Sequence, residues 1–85
     1  MDGVSPVVLR TDASDYGIGA YLLQLREVDA VTRELPIVFL SKALNSTQCR
    51  WSTPEKEMYA IWYAVRKLNY LLGDISFVIE TDHAN

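Results

Sequence analysis

The sequence predicts one α+β domain in which a mixed sheet of four strands packs against a single long helix, in the chain order βββαβ. Residues 52–73 place apolar side chains at the spacing of an amphipathic helix. Four shorter segments are rich in β-branched and aromatic residues, which indicates strands. Because the helix lies between the third and fourth segments, it forms the crossover that parallel pairing needs. We therefore expect strands 1–3 to be antiparallel and strand 4 to run parallel to strand 1.

Composition limits the chain to one folded domain over residues 1–85, since 49% of its residues are hydrophobic. The net charge of −3 argues against a nucleic-acid binder held by its overall field. The single cysteine, Cys49, cannot form an internal disulfide, and no signal pattern or membrane-length apolar run is present. These features predict an intracellular protein, cytoplasmic or nuclear, without a membrane partner.

The individual elements follow from local patterns. We expect strands at residues 7–12, 16–25, 35–40 and 75–81, the first two joined as a hairpin. Residues 27–34 are charged and lack a regular period, which predicts a loop, and residues 41–51 are polar and irregular. The helix begins either at Thr53 as N-cap with Pro54 following, or at Ser52 as N-cap with Glu55 completing a capping box.

One carboxylate occupies an unexpected place on this helix. At about 100° per residue, Glu57 lies in the middle of the apolar stripe; the stripe is formed by Ile61, Ala64, Leu68, Leu71 and Leu72. Burying an unpaired carboxylate costs several kcal/mol, so a cation or a partner is expected there. Glu55 lies about 160° away around the helix and should face water as the cap partner.

Two strands end in the same way, with Thr11-Asp12 and Thr81-Asp82. If these strands are adjacent and parallel, the two aspartates emerge about 4.8 Å apart at one sheet edge, where Glu57 can join them. Three carboxylates repel one another unless a divalent cation lies among them. Hard oxygen ligands suit Mg²⁺ or Mn²⁺, and two such ions can catalyse phosphodiester hydrolysis.

Three ordered motifs carry a specific resemblance. Residues 11–20 (TDASDYGIGA), 52–57 (STPEKE) and 81–83 (TDH) closely resemble the ribonuclease H domain of gypsy-type long-terminal-repeat retrotransposons. That domain follows the reverse transcriptase in the pol polyprotein, and the similarity extends from Val7 onward.

The resemblance implies a ribonuclease-H-like fold and hydrolysis of the RNA strand of RNA–DNA hybrids. It also implies that Asp12, Glu57 and Asp82 are the catalytic metal ligands, with two Mg²⁺ or Mn²⁺ ions as cofactor. The expected partners are the hybrid and the rest of the reverse transcriptase polyprotein. The family continues with a fourth acid, further helices and a fifth strand. We therefore expect this chain to be the N-terminal part of the fold, truncated before the later helices.

The sheet poses a separate problem of coverage. Residues 37–40 and 77–79 are continuously apolar, which is typical of strands that are covered on both faces of a sheet. A single helix can cover only one of these faces. We expect a further helical layer, self-association or a partner chain on the other face.

Simpler interpretations remain for several residues. Asp12 and Asp82 can be turn residues, and Glu57 can be a first-turn acid favoured by the helix dipole. Asp15 is expected to order a turn, and His83 to be solvated. The aromatic residues in and next to the helix are expected to be packing residues: Trp51, Tyr59, Trp62, Tyr63 and Tyr70. Three cations of the helix are expected to be exposed to solvent: Lys56, Arg66 and Lys67.

A non-catalytic scaffold of a pol-derived protein is the alternative function. Intact acids at three positions favour the enzyme, whereas the acidic net charge favours the scaffold.

Overall fold

The computed structural model describes residues 5–81, which form four strands and one long helix. The elements are β1 (Val7–Ala13), β2 (Gly17–Val28), β3 (Val31–Ala43), a short 3₁₀ helix (Gln48–Arg50), α1 (Thr53–Leu72) and β4 (Val78–Thr81). The sheet order is β3-β2-β1-β4, with β1–β2 and β2–β3 antiparallel and β1–β4 parallel. The predicted mixed sheet and its connectivity are confirmed. Within residues 5–81, no helix has the length and apolar character needed to cross a membrane.

The loop predicted at residues 27–34 is wrong, because β2 and β3 continue through it as one long hairpin. The strands pair out to Val28 and Val31 and are joined by Asp29 and Ala30, whose φ angles are 53° and 63°. Two consecutive positive φ angles characterise a type I′ turn, which follows the twist of the strands. The sequence did not predict this turn, because neither position is the glycine that usually marks a type I′ turn.

The start of α1 distinguishes between the two predicted caps. The Ser52 side chain accepts a hydrogen bond from the Glu55 backbone N–H, and the Glu55 carboxylate accepts one from the Ser52 backbone N–H. Ser52 is therefore the N-cap of a complete capping box. The helix ends before Gly73, whose φ of 42° suits glycine.

The core lies between α1 and one face of the sheet. Leu9 of β1 and Leu22 of β2 are fully buried against the helix. The buried residues of α1 recur at every fourth position: Lys56, Ala60, Ala64, Leu68 and Leu72. Contrary to the sequence prediction, Lys56 is buried and Glu57 lies half-buried at the edge of the stripe. Ala60 and Ala64 are small and allow α1 to approach the sheet closely. The helix–sheet contact is therefore centred on the row of Lys56, one residue before the row of Glu57 that the large aliphatic residues indicate.

The opposite face of the sheet is partly open. Strand alternation directs Val8, Leu23, Phe39 and Val78 to this face. Val8 and Leu23 are buried, whereas Phe39 is 70% exposed and Val78 is 58% exposed. The exposure of these two side chains agrees with the predicted lack of cover, and the identity of any covering layer stays a prediction.

Candidate functional site

The ends of β1 and β4 lie side by side, as the proposed site requires. Thr11 pairs with Thr81 in the parallel ladder, and Thr11 is buried. Asp12 follows Thr11 and is exposed at the end of β1, opposite Gly19 of β2. Asp82 and His83 lie outside the described residues. The convergence of Asp12, Glu57 and Asp82 therefore stays a prediction that is supported by the neighbouring strand ends.

Asp12 lines two shallow grooves at this end of the sheet. The larger, of about 580 Å³, is also lined by Arg10, Tyr21, Phe39 and Glu80. The smaller, of about 400 Å³, runs over Gly17 and Gly19 towards Ser41 and Lys42. The Asp12 carboxylate is thus open to a large ligand that lies along this end of the sheet.

The two acids paired with Arg10, Glu34 and Glu80, share its single positive charge. Arg10 donates a hydrogen bond from Nε to the Glu80 carboxylate and another from Nη1 to the Glu34 carboxylate, each with a donor–acceptor distance of 2.8 Å. These hydrogen bonds, the one to Glu80 foremost, raise the pKa of the Arg10 guanidinium. No hydrogen bond or ion pair joins the Asp12 carboxylate to another residue in the described range 5–81. Asp12 is therefore available to bind a cation.

The two glutamates at the start of α1 have different environments. Glu55 is exposed and accepts hydrogen bonds from Ser52, which lower the pKa of its carboxyl group. Glu57 is half-buried and lies beside the buried row of α1 that begins with Lys56. The prediction that Glu55 serves the cap and faces water is confirmed, and Glu57 stays the helix acid predicted for the site.

The donor chemistry fits a hard divalent cation. Within residues 5–81, no three His, Cys, Asp or Glu side chains are grouped closely enough to hold a metal ion. The predicted set also includes Asp82, which lies outside this range. Three carboxylates would give Mg²⁺ or Mn²⁺ the oxygen ligands that these ions prefer.

The turn after Asp12 is held by hydrogen bonds within the turn and by a side chain from α1. Ser14 Oγ accepts a hydrogen bond from the Gly17 backbone N–H at 3.1 Å. Lys56 Nζ reaches across from α1 to donate to the Asp15 carbonyl oxygen at 3.4 Å and lies 3.9 Å from Asp15 Oδ1. Sequence reasoning assigned Lys56 to the solvent, although its position one turn before Ala60 indicates the buried row. Glycine at position 17 is explained by close packing, because a Cβ atom there would lie 3.2 Å from the Lys42 carbonyl oxygen.

A second cluster lies beside β3 on the exposed side of α1, and we call it the aromatic–basic patch. It consists of Lys42, Tyr59, Trp62, Tyr63, Arg66 and Lys67. Tyr59 and Tyr63 pack against the small core around Ile18, which agrees with the packing prediction. Trp62 stacks on Tyr59 although it is 54% exposed, whereas Tyr70 is 77% exposed and the packing prediction is wrong for it. The helix spacing of Trp62 with Arg66 and of Tyr63 with Lys67 is visible in the sequence, whereas the contribution of Lys42 is not, because it comes from a separate strand.

The comparisons with known proteins agree with this fold. Residues 2–85 match the family described as the RNase H-like domain found in reverse transcriptase. The chain is 42% identical over 79 residues to the Retrovirus-related Pol polyprotein from transposon opus of Drosophila melanogaster, which covers 92% of this chain and 8% of that protein. It is 39% identical over 83 residues to the corresponding polyprotein from transposon gypsy of the same organism, with 96% of this chain and 7% of that protein covered.

A yeast relative extends the comparison. The chain is 36% identical over 81 residues to the Transposon Tf2-3 polyprotein of Schizosaccharomyces pombe, which covers 93% of this chain and 6% of that protein. The chain therefore spans less than a tenth of each of these three relatives. With its mixed sheet, parallel β1–β4 pair and single helix, the chain belongs to the RNase H-like domains found in reverse transcriptases, as carried by retrotransposon Pol polyproteins.

Proposed function

We propose that this domain supplies metal-binding acids for hydrolysis of the RNA strand of RNA–DNA hybrids in a retroelement reverse transcriptase. The observation that carries the proposal is the parallel pairing of Thr11 with Thr81, directly before Asp12 and Asp82 in the sequence. Because these threonines are paired, the aspartates that follow them would be close enough to bind the same cation. Family membership supports the same reaction class.

In this proposal Asp12, Glu57 and Asp82 hold two Mg²⁺ or Mn²⁺ ions. When bound, such a pair activates water and stabilises the leaving oxygen of an in-line displacement. The protein would contribute carboxylates on regular elements, Asp12 on β1 and Glu57 on α1. No covalent enzyme intermediate is proposed, because no activated serine or cysteine accompanies the acids.

The surroundings of Asp12 are acidic, so the bound cations would be needed to accept an anionic substrate. Arg10 pairs with Glu34 and Glu80 and offsets one of their two negative charges. The groove of about 580 Å³ beside Asp12 is the proposed place for the polynucleotide strand. The rest of a Pol polyprotein is the proposed covalent partner, since the chain corresponds to 6–8% of the length of its relatives.

Substitution of Glu57 tests the proposal. Hybrid cleavage is measured in the chain extended by its downstream residues, with Glu57→Gln and, as a matched control, Glu55→Gln. Because Glu57→Gln removes a metal ligand, we expect cleavage to fall at least about 100-fold, as for loss of a major electrostatic contribution. Glu55→Gln alters only the helix cap and should retain cleavage at a temperature where both variants remain folded.

Mn²⁺ titration of the 85-residue chain gives an independent readout. Paramagnetic broadening centred on Asp12, Glu57 and Asp82 would support the site. Uniform broadening, together with equal cleavage by the two variants, would reject it and favour the non-catalytic scaffold.

A further inference from the structure

The aromatic–basic patch has an ordered internal arrangement. The rings of Tyr59 and Trp62 are stacked, with centroids 5.8 Å apart and planes inclined by 18°. The Arg66 guanidinium carbon lies 5.3 Å from the Trp62 ring centroid. Because these residues are separated by three and four positions, they form successive layers along the helix surface. The patch therefore presents planar groups in a row.

Two further cations flank the neighbouring ring. Lys42 Nζ and Lys67 Nζ each lie 5.8 Å from the centroid of Tyr63. One lysine comes from β3 and the other from α1, so both elements place positive charge near Tyr63.

The charge of the patch is opposite to that of the whole chain. Its six residues include three cations and no carboxylate, in a protein with a net charge of −3. The acid one helical turn before Tyr59 is Glu55, and Ser52 already holds its carboxylate. An anionic ligand would therefore meet a locally positive surface.

We propose that the aromatic–basic patch binds a single-stranded polynucleotide. Bases would stack on Trp62 and Tyr63, while Lys42, Arg66 and Lys67 would contact phosphates. A stacked base interacts with an indole more strongly than an exposed guanidinium does, so a base can take the place of Arg66 over Trp62. Arg66 is then released to bind a phosphate.

Lys42 connects this patch with the groove beside Asp12. It lines the patch and also the smaller groove that contains Asp12, Gly19 and Ser41. The patch and the smaller groove therefore meet at Lys42, on the outermost strand of the sheet. The inference goes beyond the proposed function, because binding at the patch needs neither metal nor the site carboxylates.

Fluorescence anisotropy with a labelled thymidine homo-oligomer of about ten nucleotides, a length within the usual site size, tests the inference in EDTA. Trp62→Ala should weaken binding roughly 5- to 150-fold, the loss expected for one base stack. Tyr70→Ala is the matched control, since Tyr70 is an exposed aromatic residue of the same helix outside the patch. Thermal unfolding followed by circular dichroism verifies that each variant is folded.

The charge contribution is tested by salt dependence. Lys67→Gln should reduce the slope of log affinity against log salt by about 0.7, the value for one phosphate contact to a single strand. Arg33→Gln, near the far end of β3 from Lys42, should leave the slope unchanged.

Several results would overturn the inference. These are no binding of the oligomer, equal weakening by Trp62→Ala and Tyr70→Ala, or binding of inorganic polyphosphate as tight as that of the oligomer. The last result would indicate a site for polyanions without base stacking. Glu57→Gln should leave oligomer affinity unchanged, so failure of the cleavage proposal and failure of this one are distinguishable.

Discussion

At the scale of single residues, Lys56 links the helix to the turn that follows Asp12. Its side chain is only 8% exposed, and its ammonium group donates to the Asp15 carbonyl oxygen. The aliphatic stem lies in the same row as Ala60 and Ala64 of the core contact. Lys56 therefore combines packing with a polar contact, a common use of a long charged side chain.

Replacing Lys56 should separate these two contributions. We expect Lys56→Ala to lower the free energy of unfolding by about 1–3 kcal/mol, because it removes both the stem and the hydrogen bond. Lys56→Met keeps the stem and should lose less. Urea unfolding measures the stabilities, with Lys67→Ala as an exposed control on the same helix. Equal losses for Lys56→Ala and Lys67→Ala would contradict the buried role.

The same residue shows where sequence reasoning reached its limit. Counting large aliphatic side chains centred the helix stripe on Glu57, but the two alanines bring the helix closest to the sheet along the row of Lys56. Periodicity identifies the buried side of a helix to within about one residue position, or 100°. It cannot show that a lysine in this row has a backbone carbonyl within reach, since that carbonyl belongs to a distant turn.

At the scale of elements, the capping box makes the start of α1 sensitive to pH. Hydrogen bonds from Ser52 lower the pKa of Glu55 below its ordinary value of 4.5. A lowered pKa in the folded state means that the stabilisation is present above the unfolded value and is lost as pH falls through the folded value. The box should therefore weaken in acid.

Ser52→Ala tests this expectation. It should cost about 1 kcal/mol at pH 7, the usual value for an N-cap, and should raise the pKa of Glu55. The cost should be smaller at pH 3, because the protonated Glu55 side chain contributes less to the box in the parent protein. Urea unfolding at both pH values and an NMR titration of Glu55 give the comparison, with Thr53→Ala as control. An equal cost at both pH values would count against a contribution of the charged carboxylate.

The hairpin of β2 and β3 shows a different limit of prediction. The end of this hairpin is exposed on both sides, so residues 27–34 carry no alternation between core and solvent. Alternation is the signal from which a strand is predicted, and the Asp29-Ala30 turn lacks the usual glycine. The pairing of β1 with β4 was predictable because both strands are apolar and a long helix precedes the second.

At the scale of the whole molecule, the two faces of the sheet differ in how fully they are covered. Leu9 and Leu22 are completely buried beneath α1, whereas Phe39 and Val78 on the other face remain exposed. The order of the elements allowed this asymmetry to be predicted. Sequence composition did not predict the aromatic–basic patch, because an average charge conceals a local cluster assembled from β3 and α1.

The open face should promote self-association, since pairing two copies would remove the Phe39 rings from water at a gain of about 25 cal/mol per Å² of apolar surface buried. We expect the chain to bind a hydrophobic dye and to sediment faster as its concentration rises. Phe39→Ser should reduce both effects, because Phe39 is the most exposed large apolar side chain on this face. Tyr70→Ser, which removes a similarly exposed ring from α1, should change neither. A parent chain that binds no dye and sediments as a monomer at every concentration would show that this face needs no cover, because the exposed apolar area would then be too small to drive association.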